Sequence, residues 1–492
     1  MSYDLLVIGG GINGAAIARD AAGRGWKTLL VEKDDLASHT SSSSSKLIHG
    51  GIRYLEFYEF KLVRKALKER ETMLKAAPHL IWPMRFVMPH NDDIRAYWMI
   101  RSGLLLYDLL AGFDSLPRTK RLGKANPRYR SPLRDAQTKG YVYSDCWVDD
   151  SRLVVANAMD AAAHGADIAT RTAFEGATRA GPIWQARLSD GRQVEARAIV
   201  NAAGPWVGEV LHDRIEIDSK AALRLVRGSH IVVDRIYNGD HAYIFQMPDR
   251  RIVFALPYLD RFTLIGTTEV AVDDPAAEYA DEDEIAYLCD AANYYFAWQL
   301  DPDQVVSHYS GVRSLYDDGA SDAREVTRDY VLELDGGSEE GVPPLLSVFG
   351  GKITTARALA EDANDRLAAA TPFSGAAWTK RAKFPGGETG KDVDAFVSSI
   401  QERYPFLEWE HAVRLVRAYG SMLPDIFGEA ATFDDLGGHF GEGLTVRELE
   451  WMCEREWAKS ADDALMRRSK LGLLLDEATV ERVNAWFAER SA

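Results

Sequence analysis

Residues 3–32 read YDLLVIGGGINGAAIARDAAGRGWKTLLVE, and this stretch decides the fold. Leu5 to Ile8 is an apolar run of strand type, and the small-residue segment after Asn13 reads as a helix ending at Gly23 or Gly25. A second apolar run, TLLV, follows and ends in Glu32. Gly9, Gly11 and Gly14 stand at G-x-G-x-x-G spacing inside this strand, turn, helix, strand unit, with an acid about 20 residues on. Each glycine answers a physical need. Gly9 permits the tight turn, Gly11 lets backbone approach a pyrophosphate, and Gly14 lets helix pack on strand. The helix N-terminus offers N–H groups and the positive end of its dipole to that pyrophosphate, and Glu32 offers acceptors to ribose hydroxyls. The unit therefore reads as dinucleotide-binding, with NAD and FAD both compatible.

Outward from this unit, 492 residues are long for a single core, so two or three domains are expected. The composition, 46% hydrophobic and 27% charged, is that of an ordinary globular protein. A formal net charge of −16 argues against a nucleic-acid partner, because phosphate backbones are met by basic faces. Cys146, Cys289 and Cys453 are widely spaced, so neither a disulfide framework nor a metal site is expected, and a reducing compartment fits. The N-terminus lacks the pattern of a signal peptide, and no window approaches the roughly 18 apolar residues of a spanning helix. The nearest candidate, Ala96 to Gly112, is broken by Arg101 and Asp108, and reads either as a buried helix or as one lying on a membrane surface.

After Glu32 the alternating pattern stops. TSSSSSKLIHGGIRYLE, residues 40–56, supplies no third strand of the nucleotide unit, and its serines resemble a linker until Lys46, His49, Arg53 and Tyr54 crowd in behind them. A helix from Tyr58 to Ala77 is expected, with Phe60, Val63, Leu67 and Leu74 on its buried stripe. The stretch Arg192 to Val210 places a strand before Ala202, Ala203 and Gly204, small enough to pass near a cofactor. Runs such as RLVRGSHIVVD, RRIVFALPYLD and FTLIGTTE predict a second, mainly antiparallel sheet. Leu345 to Phe349 is expected as a strand, Gly350 and Gly351 as a turn, and Thr354 or Thr355 as the cap of the next helix. Beyond FPGGETGKD, residues 384–392, the pattern is helical, with Thr445 and Glu448 forming a capping box, and no chemistry is visible there.

The stretches GGGINGAAIARDAAGRG, SSKLIHGGIRYLE, YSDCWVDDSRL, VNAAGPWV, RGSHIVV, IGTTE, YSGVR, TRDY and SVFGGKITT, in order over nearly the whole chain, resemble the FAD-dependent glycerol-3-phosphate dehydrogenases of the D-amino-acid-oxidase-like flavoprotein superfamily. The resemblance implies a mixed α/β fold: a Rossmann-like FAD-binding domain of glutathione-reductase type, a substrate domain on an antiparallel sheet, and a C-terminal all-helical cap. The expected division is an oxidoreductase region over 1–384 and a helical domain over 385–492. Within the first, 1–75, 140–210 and 340–384 are expected to bind FAD, and 76–139 and 211–339 to form the substrate domain. The resemblance also implies oxidation of glycerol 3-phosphate to dihydroxyacetone phosphate. Electrons would pass through noncovalent FAD to a membrane quinone, in a peripheral protein on the inner face of the cytoplasmic membrane. A homodimer is the expected assembly. Glu269 and Ser314 depart from the family's commoner Asp and Pro, and neither removes a group the chemistry needs.

The residues expected at FAD are Gly9, Gly11, Asn13, Gly14, Glu32, Thr40, Ser41, Ser42, Ser45, Lys46, Leu47, His49, Ala202, Gly204, Gly311, Gly351, Lys352, Ile353 and Thr354. His39 raises the question of covalent attachment, which the family's noncovalent binding answers in the negative. A dianionic phosphate needs fixed, preferably bidentate cations, so Arg53, Arg313 and Arg328, with Lys352, are the expected substrate contacts beside Tyr54 and Thr268. Loss of hydride from carbon 2 requires that the 2-hydroxyl give up its proton. His49 is the leading base, with Arg53 and Arg313 as catalytic partners and an arginine-stabilised alkoxide as the rival. Three other readings stand beside this one: an oxidase that uses oxygen, an amino-acid or sarcosine-type oxidase, and an inactive flavin-binding scaffold. The surplus of cations argues against the last two.

Overall fold

The computed structural model describes residues 1–492 except 92–93, 113–114, 124–125, 136–137, 218–222, 317–328, 338–340, 391 and 492. Strand β1 (Ser2–Ile8) pairs in parallel with β2 (Thr28–Val31) on one side and with the strand Gln193–Asn201 on the other. Gln193–Asn201 continues in parallel to Val342–Phe349, and Asp167–Ala169 extends the sheet beyond β2. Thr28–Val31 and nearly all of Ser2–Ile8 and Val342–Phe349 are buried on both faces, which is why their cores read as apolar runs. Helix α1 (Ile12–Gly23) lies on one face, between the helices Asp150–Ala163 and Ala356–Ala370. Its row of alanines keeps the helix close to the sheet, and Leu5, Val7, Ile17 and Val200 share one core with it.

The chain leaves this sheet after β2, as the missing third strand predicts. Leu47–Ile48 pairs with Lys139–Val148 in a second sheet, ordered Val270–Val272, Leu223–Asp234, Phe262–Gly266, Ile252–Tyr258, Ala242–Gln246, Ile81–His90, Lys139–Val148, Leu47–Ile48. All these pairings are antiparallel except Ala242–Gln246 on Ile81–His90. Lys139–Val148, which sequence reasoning places with the FAD-binding part, thus belongs to the second sheet, where Ile81–His90 offers it a ten-residue partner. The serine segment bridges the two sheets, so the cofactor turn and the second sheet face one cleft.

Several local expectations shift. Helix α2 is Phe60–Ala76, but Phe60 is exposed and Leu74 only half-buried, because the packed face centres on Leu62, Val63, Ala66, Leu67 and Arg70. Helix α3 (Tyr97–Ala111) combines both readings: Ile100, Leu104 and Tyr107 are buried, while Trp98, Leu105 and Leu109 are 68%, 60% and 66% exposed. No helix among the described residues is long and apolar enough to cross a membrane. The helix after the Gly350–Gly351 turn is Ala356–Ala370, and neither threonine caps it through its side chain, since Thr354 turns to the His49 backbone N–H instead. In the C-terminal region Val393–Arg403, Trp409–Tyr419, Val446–Glu456 and Glu477–Ser491 are helices around their own core, with a short hairpin at His439–Gly441 and Leu444–Thr445. Thr445 caps Val446–Glu456, accepting from the Glu448 N–H, yet the capping box is only half formed. The buried Glu448 carboxylate goes instead to Arg414, at 2.7 and 2.8 Å, and to the Tyr419 hydroxyl.

Candidate active site

The cleft between the sheets is a cavity of about 1510 Å³, lined at one end by Gly9, Gly11, Asn13 and Glu32 and at the other by His49, Arg53 and Arg313. That exceeds the several hundred Å³ of an ordinary ligand pocket, as a cofactor plus a substrate requires. The turn end is built by contact. A Cβ on Gly14 would stand 1.9 Å from the Gly9 carbonyl oxygen, and one on Gly9, whose φ is +106°, would meet the Ala202 carbonyl at 2.5 Å. Both positions therefore exclude any side chain. Ser41 Oγ accepts from the Ile12 N–H at 3.0 Å and so folds the serine segment onto the start of α1. Glu32 accepts from the Gly10 and Asp34 N–H groups at 2.6 and 2.9 Å, and burial raises its pKa in spite of them.

The serine run is a compact turn. Thr40 donates to the Val312 carbonyl, Ser42 to that of His39, and Ser44 to Asp150, while Ser45 pairs with His230 Nε2 at 2.9 Å. Thr40, Ser41, Ser43, Ser44 and Ser45 line the cavity; Ser42 does not. Lys46 is a correction: its ammonium is buried and held 2.9 Å from both Asp150 oxygens, so its side chain is spent inside the fold and not at the cavity. Gly14 likewise acts from behind the wall.

Leu47, Ala202, Gly204, Gly311, Gly351, Lys352, Ile353 and Thr354 all reach the cavity wall. Thr268 does not: it is 1% exposed, accepts from the Ser229 N–H and donates to Glu284. Thr267, its neighbour, is the threonine on the wall, and its hydroxyl accepts from Arg313 Nη2 at 3.2 Å. Arg328 lies outside the described residues.

At the far end the cations converge. Arg53 faces Glu269 at 3.6 Å, and its Nε is a buried donor without a partner among the described residues. Lys352 Nζ stands 3.8 Å over the Tyr54 ring. His49 shares this wall and has Phe254 edge-on at 6.4 Å. Behind it the Gly50 N–H donates to the Tyr107 hydroxyl, which donates to Asp145, itself paired with the buried Arg70 at 2.6 Å. Burial, then the charges of Lys352 and Arg70, lower the His49 pKa to about 4. The ring is therefore neutral near pH 7 and able to take up a proton. His39 is the opposite case. Burial disfavours its charge, but Glu278 at 2.9 Å and Asp34 at 2.8 Å outweigh that and raise its pKa.

Asp145, Asp150, His230 and Thr267 escape sequence reasoning, because their roles come from contacts across many residues; only their places in the YSDCWVDD, RGSH and IGTTE stretches mark them.

The residues present fit FAD. The glycine turn admits a pyrophosphate, and two buried polar atoms of the wall, Asn13 Oδ1 and Arg53 Nε, have no partner among the described residues. Fold and cavity together define a dinucleotide-binding oxidoreductase whose cavity wall also carries Arg53, Arg313 and Lys352. Residues 4–363 match the family described as FAD dependent oxidoreductase, and residues 377–490 match the C-terminal domain of alpha-glycerophosphate oxidase. The chain is 49% identical to the glycerol-3-phosphate dehydrogenase of Pseudomonas aeruginosa, over 99% of this chain and 95% of that protein. It is 48% identical to the D-erythritol 1-phosphate dehydrogenase of Brucella abortus, over 98% and 97%. Among solved structures, the FAD complex of the glycerol-3-phosphate dehydrogenase from Bacillus halodurans superposes with a TM-score of 0.75 at 27% identity, covering 99% of this chain and 90% of that one. The chain belongs to the FAD-dependent oxidoreductases, and within them to the family of the glycerol-3-phosphate dehydrogenases.

Proposed function

We propose that the protein oxidises glycerol 3-phosphate at carbon 2 to dihydroxyacetone phosphate. The observation that carries this reading is the neutral His49 set among Arg53, Arg313 and Lys352 on the wall of one cavity. FAD, when bound, accepts the hydride. His49 takes the proton of the 2-hydroxyl, and the cations stabilise the oxygen while it bears negative charge. Arg53 and Arg313 offer forked donors to the phosphate, and Arg53 Nε has no competing partner among the described residues. Burial first, and then the charge of Lys352, stacked on Tyr54, keep the His49 ring neutral. Gly9, Gly11, Asn13, Glu32, Ser41 and the residues 350–354 would hold the cofactor.

The acceptor in this reading is a membrane quinone. Its support is α3, from which Met99, Ile100, Ser102, Gly103 and Leu106 reach the cavity wall while Trp98, Leu105 and Leu109 are exposed. Such a face fits peripheral attachment to a membrane, here its cytoplasmic side. Anaerobic addition of glycerol 3-phosphate to the FAD-loaded protein, followed by either a quinone analogue or oxygen, tests both halves. Fast reoxidation by the quinone supports the reading, and fast peroxide formation replaces it with an oxidase. A much faster reduction by erythritol 1-phosphate would move the substrate to that larger polyol phosphate.

A further inference from the structure

The FAD-facing loop 35–46 is anchored at its ends, and the anchors lead to the C-terminal region. At the first end Asp35, 3% exposed, accepts from Arg468 Nη1 and Nη2 at 2.5 and 2.8 Å and from Arg467 Nε at 2.7 Å. Arg467 also pairs with Asp463, which holds Arg171, and the Arg171 N–H donates to the Asp34 carbonyl at 2.8 Å. At the second end Asp150 takes Lys46 and the Ser44 hydroxyl, and the Lys470 ammonium lies 4.0 Å away. Lys470 is fixed there by Asp149 and by Ser151 Oγ at 2.8 Å. Between these ends run the residues that line the cavity, Thr40, Ser41, Ser43, Ser44 and Ser45.

We propose that the segment Asp463–Lys470 is a two-ended clamp on the loop 35–46, and that through it the C-terminal domain sets how firmly the protein holds FAD. Buried ion pairs are a poor source of stability but a good source of fixed geometry, since each carboxylate has one satisfied arrangement. A loop with its serines pinned at both ends gives the cofactor a wall already in place, so little ordering is left to binding. Arg467, Arg468 and Lys470 are positioning residues: they act through Asp35, Lys46 and Asp150 and do not reach the cavity.

Another contact between the same two regions provides the control. Arg417 donates to the Pro78 carbonyl and stacks on Trp82, away from the loop. The experiment uses FAD-loaded full-length protein and follows the release of FAD on dilution by the rise of free-flavin fluorescence. Hydrogen exchange of peptides spanning 35–46 is measured alongside. Arg467→Met is expected to speed FAD release about tenfold and to raise exchange in the loop first, with Arg468→Lys, which keeps a charge on Asp35, falling between it and the parent. Arg417→Met should leave FAD release within about twofold whatever it does to the melting temperature. If Arg468→Lys fails to fold, Lys470→Gln takes its place with the same expectation. Unchanged FAD release in Arg467→Met and in the second variant, or a release rate that rises equally in Arg417→Met, would overturn the clamp and leave these contacts as domain adhesion.

Discussion

Gly228→Ala places a methyl group where the proposed phosphate-binding end is tightest. Gly228 sits in the strand Leu223–Asp234, opposite Gly311, in backbone that alanine adopts freely. A Cβ there would stand 2.5 Å from Arg313 Nη2 and 2.7 Å from Thr267 Oγ1, so to reach ordinary contact near 3.4 Å the guanidinium must retreat by about 0.9 Å. Both clashing atoms, Arg313 Nη2 and Thr267 Oγ1, belong to side chains and not to backbone, so the strand should survive and FAD should stay bound. A displacement of about 1 Å in a group that orients substrate costs on the order of 10²-fold in rate, or about 2.7 kcal/mol of transition-state stabilisation. The assay is single-turnover reduction of the flavin by glycerol 3-phosphate under anaerobic conditions, which separates substrate affinity from the reduction step. A variant with full FAD content and a parental rate and affinity would refute the placement of Arg313 at the substrate. Loss of FAD would refute the local account of the strand.

Three further outcomes are expected. His49→Gln should slow flavin reduction by about 10²- to 10³-fold and abolish the acid limb of its pH profile. In the parent that limb should lie near 4 and not near 6.5, because burial, Lys352 and Arg70 favour the neutral ring; single-turnover rates across pH read both effects. His79, held to about 3 chiefly by burial and then by Arg152, Arg417 and Lys383, stays neutral in the folded protein while the unfolded chain protonates near 6.5. Its contribution to stability is therefore complete above about pH 6.5 and lost as pH falls toward 3, by at most about 1.36 kcal/mol per unit, and urea unfolding of His79→Gln should show a shallower acid decline. Glu448→Gln leaves the Arg414 charge half-paired in the C-terminal core and should cost about 3 kcal/mol, seen as faster hydrogen exchange in the helices from Val393 to Glu456.

The parts legible from sequence were those whose cause is local. Three glycines at fixed spacing specify the β1, α1, β2 unit: Gly14 answers to Gly9 five residues away and Gly9 to the end of the adjoining strand, while Gly11 meets the serine segment at Ser41. The second sheet showed through its β-branched runs. Its partners did not, since pairing Lys139–Val148 with Ile81–His90 depends on register across a long separation. Phe60 and Glu448 misled for the same reason: helical spacing named the first as core and local capping named the second as a cap, and tertiary neighbours overrode both. At the site, motif position picked out Arg53, Arg313, Lys352 and His49, which line one cavity, but could not tell Thr267 from Thr268 or see that Lys46 belongs to Asp150.

Oxidation of a polyol phosphate by FAD in this cavity is tested most directly by titrating the FAD-loaded protein anaerobically with glycerol 3-phosphate while following the flavin's visible absorption. Complete bleaching with one equivalent of dihydroxyacetone phosphate formed per flavin is the predicted result. A flavin that stays oxidised with glycerol 3-phosphate and bleaches with a glycine derivative would contradict the account.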